Sequence, residues 1–252
     1  MCSDLGHYEA ADTHARAAWL SAELSGHDKL RAWILSTRSL IAFWDGRIRD
    51  AARYAEQGIS FTAFGVELVR LRSLQARAYA KLGDEARARC FFQGAEEARQ
   101  HVQDEHQYEG MFDFSLGNQE RCAGSSYLWL GVPALSVASL ERALKFFEHE
   151  APATGKVPSY AHTIVTRLDL TLAHLHNGDL DGALEVVRPV IGLPPDLRLA
   201  GVVRRTHALS RVLAAPALRS TPRAQEFAEQ MEDFNVHNAA RQLTNSKREE
   251  VS

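Results

Sequence analysis

Cysteine is scarce in this 252-residue chain and forms no pairing pattern: Cys2, Cys90 and Cys122 are odd in number, with no C-x-x-C among them. That excludes a disulfide framework and a thiolate zinc site, and leaves three reduced thiols, two of them expected to pack in helices. No run of 18 apolar residues is there to span a membrane, and the start MCSDLGHYEA has neither a basic nor an apolar leader segment. The chain is therefore expected to be cytoplasmic. Charge of neither sign is in large excess, because 29 Lys and Arg against 32 Asp and Glu give a net charge of −3. Such a balance speaks against direct binding of nucleic acid or of an acidic membrane.

Motifs that carry chemistry are missing as well. There is no G-x-x-x-x-G-K-[ST], H-E-x-x-H, G-x-S-x-G or calcium loop, and His149-Glu150 lacks a second histidine four residues on. His174 and His176 lie two apart on a helical stretch and so diverge, which makes them poor partners for one metal. A helix start explains Asp179 and Asp181 through capping and the macrodipole. We expect no catalysis, no cofactor and no metal.

What is present is a periodic placement of glycine. Gly6, Gly46, Gly83, Gly131 and Gly178 sit at offsets of 40, 37, 48 and 47 residues, each beside amphipathic segments of helical period. Those segments predict an all-α chain with helices over 8–24, 28–44, 48–60, 66–82, 84–102, 117–130, 134–150, 158–177, 180–192, 197–214 and 222–241. The pairs Gly83-Asp84 and Gly178-Asp179 fit a left-handed cap followed at once by an N-capping carboxylate, which joins two helices tightly.

Small residues recur in the same register. Seven residues before the glycine stand Ser39, Ala76, Gly124 and Thr171, and five after it stand Ala11, Ala51, Ala88, Ser136 and Ala183. Only small side chains let two helices cross closely at such points. Four before the glycine are Ala42, Tyr79, Tyr127 and His174, and twelve after it Ala18, Gly58, Ala95, Ala143 and Val190, the latter expected to face the next hairpin.

This order of small, aromatic, glycine, alanine, large apolar and alanine resembles a tetratricopeptide-type repeat, most clearly at Ala76, Tyr79, Gly83, Ala88, Phe92 and Ala95. The resemblance implies a right-handed superhelix of antiparallel helix hairpins. It gives one repeat domain over 1–243: a half repeat at 5–25, repeats at about 28–62, 66–102, 117–150 and 158–195, a capping hairpin at 196–242, and a frayed tail over 244–252. Arg72, Glu120 and Arg167 depart from it, standing where a large apolar residue such as Leu35 belongs. The segment from Gln103 to Gly117, with Glu105, Tyr108, Gly110, Phe112 and Phe114, is longer than a hairpin loop needs; it either plugs a gap or binds. Pro189 is expected to kink or end its helix. Thr221-Pro222 reads as a helix start, followed by the apolar stripe Ala224, Phe227, Ala228, Met231 and Phe234.

In such arrays the first helix of each hairpin lines a concave groove. Here it presents Arg70, Ser73, Arg77 and Lys81, then Asn118, Arg121, Ser125 and Trp129, a basic wall suited to an acidic group or peptide carboxylate. The alternative is a solvated charged face. Trp33, Leu40, Phe43 and Trp44 occupy the same face one repeat earlier, as packing or as pocket. The strings LRAWILSTRSLIAFWDGR, RAYAKLGD, SSYLWLG and HNGDLDGALEVVRPVIGLPP resemble the regulatory half of bacterial XRE-type helix-turn-helix regulators. That resemblance implies a non-catalytic sensing domain for a protein, a peptide or a small effector, with no recognition helix of its own. The rival is a general scaffold clamping acidic or C-terminal peptides. Tyr8, Ala11, Ala15 and Ala18, on the helix read as a half repeat, are expected to form an assembly face for a second copy or another protein.

Overall fold

Glycine ends the helices where its periodicity places it. The computed structural model describes residues 2–102, 112–153, 155, 159–219 and 221–236, and every regular element among these is helical. At Gly83, φ is 77°; its N–H donates to the Ala80 carbonyl and the next N–H, of Asp84, donates to the Tyr79 carbonyl, both at 3.0 Å. This closure needs a left-handed residue, which only glycine supplies cheaply, and the same pair of bonds recurs at Gly46, Gly131 and Gly178. Asp84 then accepts from the Arg87 N–H at 3.0 Å, a bond that holds its carboxyl below the ordinary carboxylate range. Asp179 accepts from the Gly182 N–H at 2.9 Å in the same way. Helix starts read from the sequence lie within three residues of those observed.

The chain divides into two compact units. The first, His7–Val132, holds α1 (Tyr8–Ser25), α2 (Asp28–Trp44), α3 (Ile48–Ile59), α4 (Val66–Lys81), α5 (Glu85–Gln100) and α6 (Leu116–Trp129). Here α1 packs on α2, α2 on α3, α3 on α4, and α4 on both α5 and α6. The small residues are buried, and they meet: the Ser39 hydroxyl donates to the Ala51 carbonyl at 2.8 Å, joining the column before the glycine to the column after it. Arg72 is half-buried, with its stem beside Gly94 and its guanidinium 5.6 Å from the Phe91 ring centre.

The second unit gathers the residues up to Gly6 with those from Pro133 onward. It contains α7 (Pro133–Lys145), a π-helical turn at Phe146–Glu150, α8 (Ala151–Ala153), α9 (Tyr160–His176), α10 (Leu180–Ile191), a 3-10 turn at Pro195–Leu197, α11 (Ala200–Leu213), α12 (Pro216–Arg219) and α13 (Pro222–Val236). α10 runs through Pro189 and ends two residues later. The stripe of α13 packs into a core with Leu168, Val187 and Leu209. Arg205 bridges both carboxylate oxygens of Asp169, at 2.7 and 3.0 Å, tying α11 to α9. The Ala200 N–H donates to the Asp4 carbonyl at 2.8 Å, which anchors the N-terminal residues to the start of α11. The segment containing Glu105, Tyr108 and Gly110, and the part of the last predicted helix beyond Val236, lie outside the described residues.

A tight approach in the first unit is at Gly58, where a Cβ would stand 2.5 Å from Leu71 Cδ2 and 3.4 Å from Leu35 Cβ. Leu71 is fully buried and has nowhere to retreat. Overpacking of this kind costs about 1–3 kcal/mol, more than the gain of about 1 kcal/mol from replacing a helical glycine. Gly58→Val is therefore expected to destabilise the chain by about 2 kcal/mol. The readout is a lower urea midpoint with unchanged slope; an unmoved midpoint would refute the close contact.

Candidate functional site

Because α4 packs on both α2 and α6, three helix faces meet in the first unit. Arg70, Arg77 and Lys81 descend one stripe of α4; Asn118, Arg121, Ser125 and Trp129 descend one stripe of α6. The structure brings these residues to one layer and buries most of them. Arg70 is 9% exposed and Arg77 only 2%, and Ser73, Asn118, Arg121 and Ser125 are buried as well. Lys81 is exposed and Trp129 half-buried. The arginines of this layer are thus buried and do not belong to a solvated charged face.

Aromatic rings from α2 explain how guanidinium groups tolerate such burial. Arg70 Cζ lies 3.9 Å from the Trp33 ring centre, and Arg77 Cζ lies 4.3 Å from Phe43 and 5.6 Å from Trp129. Lys81 Nζ sits 4.8 Å from Trp129, whose ring in turn lies 5.4 Å from Phe43. Each ring face offers negative quadrupole density to a cation that has given up water. The glycine register carries the signal for this meeting of rings and arginines. Trp33, Arg70 and Asn118 each stand 13 residues before a turn glycine, and are therefore equivalent positions on neighbouring helices. Of the long connection, Phe114 is a plug, buried with Val66, Val69, Ala98 and Cys122, whereas Phe112 borders the site 5.4 Å from Trp33.

The hydrogen bonding of the layer is uneven. Ser73 and Ser125 donate to carbonyls of their own helices, those of Val69 and Arg121, at 2.8 and 2.9 Å, so their protons are committed. Arg70 Nη2 donates to Thr37 Oγ1 at a long 3.4 Å. Among the described residues, no carboxylate stands within 4.0 Å of the guanidinium of Arg70 or Arg121. Among the described residues, Arg121 Nε, Asn118 Oδ1 and Glu67 Oε2 are buried without a hydrogen-bond partner. Burial lowers the pKa of Arg70 to about 10, an effect that the neighbouring Cys122 only partly opposes.

The four residues read as an assembly face do not form one surface. Ala11 and Ala15 are buried on α1, which packs on α2; Tyr8 is half-buried and Ala18 exposed. No protein-family profile, no curated protein and no solved structure matches this chain.

The lowered pKa of Arg70 has a stability consequence with a definite sign. Its charged form is disfavoured in the fold, so the cost is fully present below about pH 10 and is relieved as pH rises from there towards the ordinary arginine range. That cost is on the order of 3 kcal/mol, against about 1–2 kcal/mol returned by stacking on Trp33. Arg70→Met is therefore expected to raise stability at pH 7 by about 1–2 kcal/mol. Denaturant unfolding checks this, and a less stable Arg70→Met variant would show that the guanidinium already has its counter-charge.

Proposed function

We propose that this chain is a non-catalytic recognition module, a tetratricopeptide-like array whose α2, α4 and α6 faces capture an acidic peptide segment of a partner protein. One observation carries the reading: Arg70 and Arg121 are buried with no carboxylate within 4.0 Å of their guanidinium groups among the described residues. A buried cation with no carboxylate in reach among the described residues costs stability, and such a cost is recovered when a ligand supplies an anion.

An unpaired donor and an unpaired acceptor together favour a peptide over a simple anion. Arg121 Nε asks for an acceptor, while Asn118 Oδ1, one helical turn away, asks for a donor. A peptide with acidic side chains brings both, carboxylate oxygens for the arginines and backbone N–H groups for the amide oxygen. Lys81 and Trp129 form the exposed end of the layer and offer the first contact. Capture requires side chains to shift before the buried arginines are reached, so association is slower than a preformed surface would allow. The resemblance to XRE-type regulators supports placing this capture in transcriptional control; a general scaffold would use the same residues for other partners.

Titration of tryptophan fluorescence with a panel of extended peptides tests the proposal. Peptides rich in Asp and Glu are expected to bind, their Asn and Gln counterparts to bind at least about tenfold more weakly, and salt to weaken the acidic ones. Arg121→Met is expected to lose about 10–100-fold in affinity, the worth of a charged hydrogen bond. Equal binding of acidic and neutral peptides, or an unaffected Arg121→Met variant, would refute it.

A further inference from the structure

The three most exposed large apolar side chains among the described residues all lie in the first unit, on α1 and the segment after α3: Leu24 at 81%, Phe64 at 68% and Leu20 at 57%. Leu20 and Leu24 belong to α1. Phe64 belongs to the segment between α3 and α4, whose Phe61 packs edge-on against Trp19 of α1 at 5.7 Å. That contact sets the segment beside α1. Single exposed apolar residues are ordinary, but three of the largest gathered around one helix mark a contact surface.

Helix α1 has two opposed faces. Ala11, Ala15 and Ala22 are buried on one. On the other, Ala10, Thr13, Ala17, Leu20 and Leu24 follow the alternating three- and four-residue spacing of a coiled-coil seam, and all five are exposed. Along one flank of that seam run Glu9, Arg16 and Glu23, seven residues apart and also exposed. Arg16 makes only local contacts, to Asp12 at 3.5 Å and to the Thr13 hydroxyl at 3.3 Å. Arg31 spends its guanidinium on the Asp28 carboxylate and on the Glu23 backbone carbonyl, and no cation among the described residues pairs with the Glu23 carboxylate.

We infer that this outer face of α1 is a self-association surface whose occupant is α1 of a second copy, running antiparallel about a two-fold axis that passes between Trp19 and Leu20. The charges select this arrangement. With the axis there, Arg16 of each copy stands level with Glu23 of the other, so one flank yields two reciprocal ion pairs. A parallel pairing would set the same flank against His14 and Ser21 and form no ion pair. The seam agrees with the charges, since Leu24 then falls between Thr13 and Ala17 of the second copy, where small side chains leave a hole for it. Leu20 packs beside its own counterpart at the axis. None of these residues belongs to the basic layer, so the surface stands or falls independently of peptide capture.

The seam spans about 22 Å of helix and is smaller than a standard interface, so the dimer is expected to be weak and concentration-dependent. Sedimentation equilibrium of the full chain, from about 10 µM to about 1 mM, tests it. The mass average is expected to rise towards two copies, Leu24→Glu to stay monomeric, and Arg16→Glu to weaken association at least about fivefold. Arg16→Glu combined with Glu23→Arg is expected to restore association, because the exchanged charges meet again. All these positions are exposed, and circular dichroism confirms that each variant is folded. A wild-type chain that is monomeric throughout, a dimer that survives Leu24→Glu, or a double exchange no better than Arg16→Glu would each overturn the inference.

Discussion

Close backbone approach at small residues is the constraint on which the first unit depends. Ser39 can reach the Ala51 carbonyl only because neither position carries a side chain that would hold α2 and α3 apart. Gly58 does the same for α3 against Leu35 and Leu71. Helices held this near one another bring α2 and α6 against α4, and that proximity dehydrates whatever α4 presents to them. Wider spacing would admit water between the helices, and the arginines of α4 would then be ordinary surface residues.

Dehydration turns a stripe of basic residues into a charged layer of a different character. A guanidinium in water costs nothing, whereas Arg70 between α2 and α6 is pushed towards deprotonation by its surroundings. The ring of Trp33 repays part of that cost, and it does so without neutralising the charge of Arg70. A carboxylate would neutralise it more fully. Retaining a buried cation on aromatic faces leaves its charge open to an incoming anion, which is the physical basis for reading the layer as a recognition site.

Helix α1 shows how the same chemistry divides between the two faces of one element. Alanine lines the side that is buried, while leucine lies on the side left in water. Small residues on the covered side let α1 approach α2 closely. The exposed leucines and the acidic–basic–acidic flank are what the proposed self-association would use.

Local interactions made much of this protein legible. Helix starts, turn glycines and the capping carboxylates Asp84 and Asp179 follow from contacts within three to five residues, and such contacts are written into spacing. The α13 stripe is buried as its period implies. Other features depended on residues far apart in the chain: the insertion of Trp33 and Phe43 among the arginines, the approach of Arg72 to Phe91, and the burial of Ala15 on α1. Periodicity names the members of each helix face and the places where each helix begins and ends. Which neighbour covers that face, and so whether its charges lie in water or under aromatic rings, was decided by the packing of α2, α4 and α6, because desolvation belongs to the assembled layer and to no single segment.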